Sequence, residues 1–164
     1  MSDLASSARV VILVADYVTI AEMNKATIVG AGITIMNRDP ATGRTAPVSV
    51  LASVSFDPKF IGEVPTVDLA LETKGGVAFE VQQQGQDPLP LRVSAEPAVL
   101  MPTEVEGIEM PRDVVRPRIQ LLLQFPSGLP LQVGEEYVWR VTIDGETRDE
   151  WTESLYVFGP KAQS

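Results

Sequence analysis

Between residues 48 and 56 the chain reads VSVLASVSF, with Val50, Ala52, Val54 and Phe56 alternating against Ser49, Leu51, Ser53 and Ser55. A period of two marks a strand with one face on a core and the other in water. The segment RIQLLLQF (118–125) repeats the pattern, with Ile119, Leu121, Leu123 and Phe125 on one side and Gln120, Leu122 and Gln124 on the other. By contrast, RVVILVADYV (9–18) is apolar on both faces, which suits a central strand or an edge tucked under a neighbouring loop. The same reading predicts strands over 9–18, 27–36, 48–56, 67–72, 77–83, 91–95, 118–125, 136–143 and 149–158. No window carries a helical stripe.

The 13 prolines and 12 glycines fall mostly between these segments, where the chain must bend. Eight or nine short strands in 164 residues predict an all-β fold: an antiparallel two-sheet sandwich, immunoglobulin-like or jelly-roll-like. At this length one domain over 1–164 is expected, with short frayed ends at about 1–8 and 161–164.

The stretch IDGETRDEW (143–151) sets a knot of charge between two strands. A two-residue turn at Asp144-Gly145 would place Trp139 opposite Glu150 and Val141 opposite Arg148, which are poor partners. A longer loop over 144–148 sets Val141 opposite Trp151 and Tyr137 opposite Leu155, joining apolar side chains across one face. That register is the one predicted. It leaves Asp144, Glu146 and Arg148 on a solvated tip, whereas carboxylates doing acid–base work need a concave, partly desolvated site.

Composition narrows the chemistry. Cysteine and histidine are both absent, which removes disulfides, thiolate nucleophiles, Ser-His triads and zinc sites built on imidazole or sulfur. A carboxylate-only enzyme or a calcium site stays open, because hard cations take oxygen ligands. Twenty-two acidic residues against 13 basic ones give a net charge of −9, a field that repels nucleic acid and anionic lipid. The start of the chain carries Asp3 where a signal peptide would be basic, and its apolar run at 10–15 is far short of the roughly 20 residues of a membrane span. A cytoplasmic protein, or one assembled there into a virion, is the expectation.

Other motifs favour structural readings. The glycines of TIVGAGITI, Gly30 and Gly32, lack the third glycine and the helix start of a dinucleotide loop, and point to a bulge or a close strand contact. Arg112, Arg116 and Arg118 gather near Glu104, Glu106 and Glu109, a grouping that reads as internal charge balance before it reads as an anion site. Loop residues Phe60, Ile61, Met101, Ile108 and Met110, with Val105 beside them, either close the ends of the core or form a partner surface. They are the candidate site. The strand VDLALE (67–72) has few of the lysines and prolines that guard a sheet edge, so it is a second candidate for association.

VADYV and NKATIVGAGITI near the start and SGLPLQVGEEYVWRVTIDGE near the end together resemble an uncharacterised family of small bacterial and phage-borne β-sandwich domains. The chain departs from that family's pattern at Asn24-Lys25, where Gly-Lys is usual, and in its longer middle segment. The resemblance implies a sandwich and brings no site residues. The YVWRV strand is also similar to the aromatic-rich strand that crosses the core of immunoglobulin-like sandwiches.

The expected function is therefore a non-enzymatic protein-interaction or structural module, as a phage-particle accessory or a host-directed phage protein. It would use no cofactor, metal or catalytic residue and would act through a protein partner or self-association. A carbohydrate- or calcium-binding sandwich and a carboxylate-only enzyme are the alternatives.

Overall fold

The computed structural model describes residues 1–21, 25–82, 85 and 87–160. It is all-β in several sheets, with one five-residue helix, Asp3–Ser7. In chain order the strands are β1 (Arg9–Ala15), β2 (Tyr17–Ile20), β3 (Ala26–Val29), β4 (Ile35–Asp39), β5 (Arg44–Thr45), β6 (Val48–Ser55) and β7 (Val67–Thr73). There follow β8 (Glu80–Val81), β9 (Leu89–Pro90), β10 (Arg92–Ser94), β11 (Arg118–Phe125), β12 (Glu136–Ile143) and β13 (Thr152–Phe158). Among the described residues the count of thirteen exceeds the eight or nine expected because the runs 9–18 and 27–36 each break in two and the two-residue strands β5 and β9 are added.

Strands β1, β6 and β11 form one sheet in that order; β10, β7, β12, β13, β4 and β5 form a second, which curls into a half-barrel. Every pairing is antiparallel except that of β13 with β4. A single cluster of buried side chains lies between the sheets. It takes Val50, Val54 and Leu121 from one, and Leu69, Leu71, Trp139, Val141 and Leu155 from the other. Phe125 and Trp139 bridge the layers, with ring centroids 6.1 Å apart.

The run 9–18 breaks at Asp16. The chain leaves the β1 ladder there, and β2 pairs with β3 in a separate hairpin. The run 27–36 breaks likewise over the Gly-Ala-Gly turn. Gly30 has φ +65°, and a Cβ there would sit 2.0 Å from Asp16 Oδ2, so this position takes a residue with no side chain. Beyond it, the N–H groups of Gly32 and Ile33 both donate to Val14 O. The close contact expected of these glycines is therefore a turn against the end of β1 rather than a bulge inside a strand.

The hairpin also explains two departures on β6. Leu51 and Ser49 are buried, not solvated, because β2 and β3 lie over that face. Val18, Ala15 and Leu51 form a second small cluster flanked by Ile28 and Leu122. Strand β1 is an edge and β6 the centre of its sheet. VDLALE corrects in the opposite sense: β7 is flanked by β10 and β12, so it offers no bare edge.

At the start, Ser2 Oγ caps the short helix by accepting from Ala5 N–H (3.1 Å), and Ala5 is fully buried in the core. The beginning of the chain is docked rather than frayed; residues 161–164 lie outside the described residues. Among the described residues no helix is long and apolar enough to cross a membrane.

Candidate functional site

The loop residues singled out by the sequence come from two connections, β6 to β7 and β10 to β11. In the first, Asp57 accepts from Lys59 N–H (3.1 Å) and starts a 3-10 turn over Pro58–Phe60. The two connections are tied together by Gly62 N–H to Leu100 O (2.9 Å) and Leu100 N–H to Glu63 O (2.8 Å), with Leu100 buried beneath them. From that anchor the chain swings outward, reverses at Gly107, where Ile108 N–H donates to Val105 O (3.0 Å), and returns to Arg116. The Arg116 guanidinium then donates to Ser7 O at 2.5 Å and Ser55 O at 3.4 Å. The loop is thus stapled at both ends and open between them.

An open cleft of about 920 Å³ runs along this loop, lined among others by Pro102, Glu104, Ile108, Met110 and Arg112. A neighbouring hollow of about 440 Å³ shares Glu104 and adds Met101 and Arg118. A third of about 370 Å³ joins Arg112 to Ile61 and Lys59. Four of the five candidates therefore line three clefts that share lining residues. Met101 and Ile108 are its most exposed members, at 62% and 60%. Phe60 is the exception: the 3-10 turn aims its ring inward against the core, under the Lys59 ammonium 4.8 Å from its centroid.

The arginines divide by role. Arg116 is spent on backbone carbonyls, and among the described residues none of Arg112, Arg116 and Arg118 pairs with an acidic side chain. The expected balance with Glu104, Glu106 and Glu109 is not how they are used; Arg112 and Arg118 face the clefts.

The acidic hairpin resolves into both turn chemistries at once. Asp144 and Gly145 have positive φ (+51° and +79°), and Ile143 and Glu146 exchange backbone hydrogen bonds of 2.8 and 2.9 Å, which makes a tight two-residue turn. Residues 147–151 then bulge through a 3-10 turn, and pairing resumes with Arg140 opposite Thr152 and Tyr137 opposite Leu155, the longer register. The carboxylates serve the backbone: Asp144 accepts from Thr66 N–H (2.7 Å) and Glu146 from Ser2 N–H (2.9 Å), while Arg148 stacks 5.1 Å from the Trp151 ring.

Sequence reading passed over two features. Asp68 lies on the outer face of β7, and that face is covered: the carboxylate accepts from Arg92 (2.5 Å), Ser94 and Thr142 (3.2 Å). Burial works to raise its pKa, but these hydrogen bonds and the Arg92 charge outweigh it and hold the carboxyl below the usual range. It is an acceptor that stays ionised. The signal was an acid near the start of the strand, within the apolar stretch VDLAL. Secondly, Tyr156 and Phe158 project from the outer face of β13 beside Ile35 of β4, the neighbour of Tyr156 in register. The burial of Leu155 and Val157 makes this outward placement a matter of parity. Trp139 and Trp151 are both buried.

No family model matches the chain, and no curated protein matches it.

Proposed function

We propose that the chain is an immunoglobulin-like sandwich acting as a non-enzymatic interaction or structural module, with the loop surface around Ile108 as its partner site. The strand order supports the fold type over a jelly-roll. Strands β1, β6 and β11 correspond to A, B and E of the immunoglobulin pattern, and β7, β12 and β13 to C, F and G. Strand β10 stands beside β7 as a C′ strand, and β4, which follows β1 in the chain, lies parallel along β13. Tyr137 near the start of β12 accepts from Gln132 N–H through its hydroxyl (2.9 Å), the arrangement of a tyrosine corner.

The single observation that carries the interaction reading is that Met101, Ile108, Met110 and Ile61 line three clefts joined by shared residues. Exposed Met101 and Ile108, in clefts that Glu104, Glu106, Glu109 and Arg112 also line, give the mixed apolar and charged make-up of a protein-binding surface. Setting in a phage particle or in a phage-infected host follows from the resemblance of the two ends of the sequence.

A photo-crosslinking side chain at position 108 tests this in purified particles or host extract. A discrete adduct is expected, lost on Met101→Ser/Met110→Ser. The same adducts from position 77, an exposed valine on the loop after β7, would overturn the assignment.

A further inference from the structure

We infer that the chain pairs with a second copy of itself through the free edge of β11, antiparallel and centred on Leu122. This rests on a surface separate from the loop clefts. Strand β11 is the outer strand of its sheet, eight residues long. Phe56 N–H donates to Pro117 O (3.0 Å) directly opposite it, which fixes the parity of the ladder: Ile119, Leu121, Leu123 and Phe125 bond toward β6. The N–H and C=O groups of Gln120, Leu122 and Gln124 therefore point the other way, and none of them hydrogen-bonds to a described residue. A row of bare backbone donors and acceptors has one natural ligand, another extended strand.

The sequence of the edge names which strand. Gln120-Leu121-Leu122-Leu123-Gln124 reads the same in both directions. A two-fold axis at Leu122 sets each copy's Leu122 opposite the other's, Gln120 opposite Gln124, and Leu121 opposite Leu123. Because the free groups belong to positions 120, 122 and 124, this register makes all three facing pairs hydrogen-bonded ones, about six backbone bonds. A register shifted by one residue would waste them. No charge lies between Ile119 and Phe125, so the net −9 of each copy is kept away from the seam. On the core side, Ile119 and Leu123 are only half-buried within one copy, and a neighbouring strand would cover them. The edge has no proline, lysine or bulge within it to turn a partner away. The far edge of the sheet differs, since Gly32 and Ile33 already donate to Val14 of β1.

Cysteine cross-linking reads both pairing and register, since the chain has no cysteine of its own. Facing residues of a hydrogen-bonded pair lie about 5.5 Å apart at Cα, within disulfide reach. Residue 120 and its own copy would be about 13 Å apart, beyond it. Gln120→Cys mixed with Gln124→Cys at micromolar concentration should oxidise to a mixed disulfide dimer, while Gln120→Cys alone should not. Sedimentation of the unmodified chain should show a dimer, and Leu122→Lys, which sets like charges together on the axis, should give a folded monomer by circular dichroism. A monomer at all concentrations together with no mixed disulfide overturns the proposal, as does Gln120→Cys cross-linking alone as fast as the mixture.

Discussion

At the scale of single residues, Asp68 is the most informative side chain. Its three partners come from β10 and β12, so it holds three strands together on the outer face. Asp68→Asn should lower stability by about 1–3 kcal/mol at neutral pH, measured by urea unfolding. The pH dependence follows from the sign of the shift. The carboxyl is held below its ordinary value in the folded state, so its contribution is present above the unfolded value of roughly 4 and is lost as pH falls through the folded value. The gap between wild type and Asp68→Asn should therefore close on acidification. Gly128 is a second such position: φ is +66° and an added Cβ would lie 1.9 Å from Thr45 O, which is backbone and cannot swing away. Gly128→Ala should cost more than about 2 kcal/mol, whereas Gly145→Ala, with open space around it, should cost about 1 kcal/mol from conformation alone.

At the scale of elements, the β2–β3 hairpin lies over the outer face of β6 and rests on a cluster separate from the main core. Val18→Ala should cost about 1–3 kcal/mol and raise amide exchange in β2 and β3 well before exchange in β6 or β12, if the hairpin opens as its own unit. This hairpin also marks the limit of what alternation reveals. The paired apolar faces of 136–143 and 152–158 were legible, down to Tyr137 opposite Leu155, because one face had to be buried and a one-residue slip would turn it to solvent. The break at Asp16 was not legible, since 9–18 is apolar on both faces and a run without alternation gives no sign of where a strand changes partners. The burial of Leu51 follows from that missed break, because nothing in VSVLASVSF tells which neighbour covers its second face.

At the scale of the whole molecule, both tryptophans lie in one core, and iodide should quench their emission little until the protein unfolds. Among the described residues no three acidic side chains gather as metal ligands, and thermal melts with and without excess chelator should coincide. The candidate surface was half legible: Met101, Ile108, Met110 and Ile61 stand out as apolar residues in loops, but whether a loop residue points in or out depends on backbone geometry, as Phe60 shows. The edge of β11 was hidden because strand order is a property of the assembled sheets. The position of β13 has a consequence for biosynthesis. It lies between β12 and β4, so β4 waits for a partner that is synthesised long after it. Until residue 158 has cleared the exit tunnel, β12 and β4 both present unpaired edges to whatever is nearby. A chain cut after residue 148 should therefore be more protease-sensitive than one that runs through residue 158.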